Sequence, residues 1–193
     1  MLVQLFLVRV QVPQLRLSAP VGHADEVNDL ESPGVALRPG RDSDLAACVT
    51  LWVEACAIRD GVRIPGVAER ARPKFDRREA WIVAEGPEHR LAGFVLATVP
   101  GSGQDTDPPD AAVVGLLAID SVEQAHGVGS LLLSAATSEL AALGHEHAVL
   151  HVLTSNTAAV RLYASQGWVK IGGTFEHGLL NKPFQTYLRD LRA

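Results

Sequence analysis

The residues with the clearest chemical meaning lie in LLAIDSVEQAHGVGSLLL, from Leu116 to Leu133. An apolar strand ends near Asp120, a turn follows, and Gly127 and Gly129 open a helix. Backbone N–H groups from Gln124 through Ala125, His126, Gly127, Val128 and Gly129 to Ser130 then point outward at a helix N-terminus. Orphan donors and the helix dipole act together there, which suits a phosphate or pyrophosphate. Glycine at 127 and 129 lets a ligand approach where a Cβ would obstruct it. A Gly-x-Gly before a helix also fits an ordinary tight turn, so the loop needs support from elsewhere in the chain.

That support follows the next strand, in NTAAVRLY and then ASQGW, from Asn156 to Trp168. Asn156 stands where it can cap a helix or reach a ligand amide. Ala159, Leu162 and Tyr163 share the inner side of that helix through their i, i+3 and i+4 spacing. Tyr163 taken alone reads as buried packing with a locally satisfied hydroxyl. His145, His147 and His151 have no cysteine or carboxylate to complete a ligand set, so no metal is expected. Glu54, Arg59, Asp60 and Arg63 read by default as a solvated face and otherwise as the border of a pocket, which Glu176 and His177 would close from the other side.

The elements that must position these residues alternate regularly from Val35 onward. VALR is a short strand, and Asp42 or Ser43 caps a helix with apolar positions Leu45, Cys48, Val49, Trp52 and Cys56. Pro65 and Pro73 bracket at most a short helix. WIVAE and LAGFVLATV form a hairpin, PGSGQDTDPPD is a loop, and AVVGLLAI is a central strand. Val128, Leu132, Ala136, Leu140 and Leu143 mark one face of a helix that Gly144 ends. HAVLHVL, WVKIG and FQTYLRDL supply further strands. The result is an α/β (α+β) fold, a mixed sheet of about seven strands with helices on both faces.

Residues 1–34 differ: Phe6, Val8, Val10 and Val12 alternate like a strand, and a Gly/Pro-rich linker follows. They read as an N-terminal extension, either accessory or a strand covering a sheet edge or pairing with a second subunit. Residues 35–193 form the main domain.

With 17 Lys and Arg against 22 Asp and Glu, a formal net charge of -5, the chain lacks the basic footprint of a nucleic-acid binder. The same balance tilts toward cationic partners. No apolar run spans a membrane and MLVQLFLVRV lacks a basic n-region, so a cytoplasmic protein is expected. The two cysteines, Cys48 and Cys56, fall on one helix. Eight residues of helix span about 12 Å, too far for a disulfide.

The two motifs together resemble the GNAT superfamily of acyl-CoA-dependent N-acetyltransferases, over about residues 35–190. Q-A-H-G-V-G matches that family's Arg/Gln-x-x-Gly-x-Gly/Ala pyrophosphate loop. Asn156, Ala159, Tyr163 and Gly167-Trp168 match its Asn-x-x-Ala-x-x-x-Tyr and Gly-Phe signature. Ala125 where many members have glycine, Ser121 for proline and Trp168 for phenylalanine are mild departures.

The resemblance implies a V-split sheet in which AVVGLLAI and HAVLHVL splay and the pantetheine arm of acetyl-CoA inserts between them. The backbone of Leu117, Ala118 and Ile119 would pair with that arm. Gln124 to Ser130 would hold the pyrophosphate, Asn156 would contact the pantetheine, and Ala159 and Tyr163 would lie beside it. A neutral primary amine, of a small molecule or a protein, would attack the thioester directly, with Tyr163 protonating the departing thiolate. AVVGLLAI carries no carboxylate, so His151 is the candidate base, its imidazole titrating near neutrality. The competing reading is a strand histidine facing solvent or packed under the first helix. A non-catalytic acyl-CoA-binding module remains the rival function. A dinucleotide oxidoreductase does not fit the loop's late position and spacing. Monomer and homodimer are both open.

Overall fold

The computed structural model describes residues 6–7 (backbone only), 34–124, 126–178 and 180–192. Its strands are β1 (Phe6–Leu7), β2 (Ala36–Pro39), β3 (Arg78–Glu85), β4 (Leu91–Thr98), β5 (Ala112–Ile119), β6 (His147–Leu153), β7 (Val169–Glu176) and β8 (Pro183–Asp190). The helices are α1 (Leu45–Asp60), α2 (Val67–Phe75), α3 (Val128–Ala142) and α4 (Thr157–Ser165). The sheet runs β2-β3-β4-β5-β6-β8-β7, a mixed sheet of the expected size, with β1 off this path on β5. Its neighbours are antiparallel except β5 and β6, which the α3 crossover makes parallel. No described helix is long and apolar enough to cross a membrane.

The period of two along each strand divides the core between the faces. Trp81, Val83, Phe94, Leu96, Leu116 and Ala118 pack under α1 and α2. Ile82, Ala84, Val95, Ala97, Leu117 and Ile119 pack with α3. The alternation slips once on β5: Leu96 pairs Leu116, but Ala97 pairs Val114. Gly115 is the extra residue of a β-bulge, which bends and twists the strand locally. Beyond it β5 and β6 part, their register limited to Ala112 with Ala148 and Val113 with Val149.

Part of β1 lies in that opening. Its backbone runs parallel to β5, with Phe6 opposite Leu116 and Leu7 opposite Leu117, on the edge that β4 leaves open. β1 therefore lines an internal gap and does not cover a sheet edge. The rest of the expected strand and the linker, residues 8–33, lie outside the described residues.

Local details depart from expectation where tertiary contacts compete. Asp42 and Ser43 do not cap α1; they form a 3-10 turn with Asp44, whose carboxylate instead accepts from the Arg41 N–H at 2.8 Å. α1 ends on Gly61 in the left-handed region. α2 runs through Pro73, near its C-terminal end, where few further helical bonds depend on it. Leu143 is half exposed at the C-cap of α3, and Leu133 takes the buried place beside Leu132. Cys48 and Cys56 are free and buried on α1, and burial pushes both thiols up to about 12, which makes them inert.

Candidate functional site

The turn after β5 and the N-termini of α3 and α4 enclose a cavity of about 300 Å³. Ile119, Gln124, Gly127, Ser130, Ala158 and Arg161 are among its lining residues. Gly127 is the N-cap of α3 at φ 77°, a left-handed position in which a Cβ would meet nothing within 4 Å. Its freedom is conformational, and its outer side is open to a ligand. Gly129, also in the lining, has a second purpose: a Cβ there would lie 2.8 Å from Ile119 Cδ1. It lets α3 close onto β5.

The row of outward donors is shorter than expected. The His126 N–H donates to Glu123 O at 3.3 Å and the Ser130 N–H to Gly127 O at 3.0 Å. Among the described residues, no backbone carbonyl accepts from Gly127, Val128 or Gly129. Three such N–H groups at a helix start have the geometry that suits an anion; Ala125 lies outside the described residues. Arg161 adds a cation to the lining, and sequence reading missed it. Its position two residues before Tyr163 on α4 was the available signal. Glu123, also in the lining, is paired with Arg90.

Asn156 caps α4, its side chain accepting from the Ala159 N–H at 3.4 Å. Tyr163, two turns along, is 0 % exposed, and its ring lies 6.1 Å from Trp168 and 6.3 Å from Tyr187. Its hydroxyl is buried, and among the described residues it has no hydrogen-bond partner. Burial pushes that phenol well above its ordinary value, so it stays protonated and keeps a hydrogen to donate. The backbone edge of Leu117 expected to meet the pantetheine is the one opposite Leu7 of β1, whereas Ala118 and Ile119 pair on their other side with Phe94 and Gly93.

His151 is 1 % exposed, so it does not face solvent. Its Nε2 lies 2.9 Å from Oδ1 of Asp107, in the β4–β5 loop. The second Asp107 oxygen accepts from the Gln104 N–H at 2.7 Å. Among the described residues, His151 Nδ1 is buried without a partner, and so is Oγ1 of Thr186, the residue opposite on β8. The ring meets Phe184 edge-on at 5.8 Å. Asp107 is the second residue missed; it sat in a stretch read only as a loop.

Strand register relates His151 to Tyr163. Leu150 pairs with Tyr187, the side chain beside Tyr163. His151 pairs with Thr186, one step along, and so faces the other side of the sheet. Tyr163 and His151 therefore flank the β5–β6 opening from opposite faces.

On the His151 face, Arg59 and Asp60 at the end of α1 form a buried ion pair, and Lys182 reaches Asp60 at 3.4 Å. They are not a solvated face; Glu54, Arg63 and Glu176 are exposed. His177 is buried near this cluster and also meets Phe184 edge-on, at 6.4 Å. Burial lowers its imidazole to about 4, and its Nδ1 accepts from the Leu180 N–H, so at neutral pH it is uncharged. His145 lies 3.5 Å from Glu79 and His147 3.4 Å from Asp110; no group among the described residues has the donors to hold a metal.

The model of the acetyltransferase (GNAT) family matches residues 46–168. A mycothiol acetyltransferase of Clavibacter sepedonicus is 34 % identical over 159 residues, covering 77 % of this chain and 48 % of that protein. The chain spans less than half the length of each of the mycothiol acetyltransferases it matches. In fold it is similar to the ribosomal-protein-S18-alanine N-acetyltransferase of Escherichia coli, with TM-score 0.65, 20 % identity and coverage of 81 % of this chain and 94 % of that one. A Salmonella typhimurium acetyltransferase solved with acetyl-CoA gives TM-score 0.63, 17 % identity and coverage of 81 % and 94 %.

Proposed function

The chain belongs to the acetyltransferase (GNAT) family, and we propose that it transfers the acetyl group of acetyl-CoA to a primary amine by direct attack. The observation that carries this reading is the β5–β6 opening, with a buried protonated phenol on one face and a buried imidazole on the other. A thioester in the opening would present its sulfur to Tyr163 and its carbonyl carbon to an amine arriving from the His151 face. The amine lone pair forms the N–C bond as the C–S bond breaks. The thiolate takes the Tyr163 proton, and the nitrogen gives its surplus proton to His151. No acyl-enzyme is required, and the only cysteines are buried, inert and on another element.

The pyrophosphate would sit on the Gly127, Val128 and Gly129 N–H groups with Arg161 beside it. Gln124, His126 and Ser130 complete the rim. The pantetheine would lie along Leu117, Ala118 and Ile119, past Asn156 and Ala159. Residues 35–193 form the catalytic domain in this reading and residues 1–34 an extension, in a cytoplasmic protein whose thiols stay reduced.

Because Leu7 occupies the Leu117 edge that the pantetheine needs, a chain beginning at Val35 is expected to bind CoA several-fold more tightly than the full chain, by calorimetry. A folded truncated chain that binds more weakly would show instead that β1 belongs to the site.

The acceptor is tested by following free CoA thiol over a panel of amines with acetyl-CoA. Relatives that carry the name mycothiol acetyltransferase put amines related to mycothiol first in that panel, with polyamines and a peptide N-terminus beside them. Amine-dependent thiol release is expected. CoA binding with no release from any amine would leave a binding module.

A further inference from the structure

We propose that Asp107 is the positioning residue for His151, and that it makes Nδ1 the nitrogen that takes the acceptor's proton. The inference rests on the reading of His151 as the base and deepens it. The carboxylate bridges two groups from its place in the β4–β5 loop, one oxygen on His151 Nε2 at 2.9 Å and the other on the Gln104 N–H at 2.7 Å. An ionised carboxylate only accepts, so Nε2 must carry the hydrogen. The Nδ1 lone pair is then free to take a proton, and among the described residues Nδ1 is the buried nitrogen left without a partner.

Burial gives the contact its force. The Asp107 side chain is 5 % exposed and the His151 side chain 1 %, so little water competes for either. When Nδ1 takes the proton from the acceptor nitrogen, the imidazolium forms beside an anion already in place, which needs no reorganisation. The backbone also fits this purpose. A Cβ at Gly103 would lie 2.1 Å from Asp107 Oδ2 and 3.2 Å from His151 Cε1, so glycine lets the loop press onto the pair.

The hydrogen-bond pattern sets up a specific test in Asp107→Asn. If the new amide keeps its oxygen on the Gln104 N–H, its nitrogen faces His151 and donates to Nε2. The imidazole hydrogen is then forced to Nδ1 and the reactive lone pair is lost, with nearly unchanged volume.

Imidazole ¹⁵N shifts of the full chain, measured with CoA present at a pH where His151 is neutral, read the tautomer directly. The wild type is expected to show a protonated Nε2 and a bare Nδ1, and Asp107→Asn the reverse. kcat in the variant should fall at least roughly tenfold, as for loss of a general base, with KM for acetyl-CoA unchanged. In a His151→Ala background, Asp107→Asn should lower kcat no further.

A bare Nε2 in the wild type overturns the proposal without need of any variant. Wild-type kcat in Asp107→Asn, with His151→Ala impaired, overturns it while leaving His151 as the base. A further loss in the His151→Ala background makes Asp107 a loop-pinning residue and overturns it too. Unimpaired His151→Ala removes the base assignment and the proposal together.

Discussion

Tyr163→Phe is expected to lower kcat by at least roughly tenfold, within the 10²–10⁴-fold range of general acid catalysis, while CoA affinity and stability hold. The substitution keeps the ring, so its packing against Trp168 and Tyr187 survives. It deletes a hydroxyl that is buried without a partner, so folding loses no hydrogen bond and sheds a desolvation cost. The variant should melt at the same temperature as the parent or higher. Activity and stability thus move apart, which separates a proton donor from a structural tyrosine. Single-turnover kinetics with saturating acetyl-CoA isolate the chemical step from product release. An unchanged single-turnover rate would sink the assignment of Tyr163 as the acid.

Lys74→Met is expected to stabilise the protein by a few kcal/mol at neutral pH and below. Lys74 lies on α2 between buried Ala71 and Phe75, and among the described residues its buried ammonium has no hydrogen-bond partner. Burial first, and then the positive charge of Arg77, lowers its pKa from 10.5 to about 7. Each unit represents about 1.4 kcal/mol. The sign follows from linkage: between pH 7 and 10.5 the unfolded chain binds a proton that the folded chain does not, so wild-type stability rises with pH across that window. Below pH 7 the penalty is complete. Methionine fills similar volume without a charge, so the difference between variant and parent should be greatest below pH 7 and vanish toward 10.5. Urea titrations at several pH values measure it. A pH-independent difference, or a loss of stability, would mean that the ammonium has a compensating environment.

Much of the site was legible because its parts are local. The strand–turn–helix from Leu116 to Leu133 needs only an apolar run, a left-handed glycine and a helical stripe, all within a few turns of one another. Gly127 took the predicted place, and Asn156 caps the helix that carries Tyr163. Errors arose where local preference met tertiary packing. Asp42 and Ser43 are good caps on composition, yet Asp44 draws the chain into a 3-10 turn. At Gly129 the missing Cβ also makes room for Ile119, which no local pattern signals. Arg59 and Asp60 looked like a solvated helix end and are instead buried with Lys182 against them, a contact across 122 residues.

Sequence alone determined that the chain alternates strands and helices, that a glycine-opened helix start follows the central strand, and that a tyrosine helix follows the next one. Backbone propensity and side-chain periodicity act over one to four turns, and those features are that short. Tertiary structure decided which groups face one another. The Gly115 bulge opens β5 from β6, and the pairing of β6 with β8 places His151 and Tyr163 on opposite faces of the opening. Asp107 meets His151 from 44 residues away, and a loop of prolines, glycines and aspartates gives no periodicity to say which carboxylate turns inward. That choice belongs to packing, because a buried imidazole beside a closing loop accepts only the carboxylate that geometry brings to its Nε2–H.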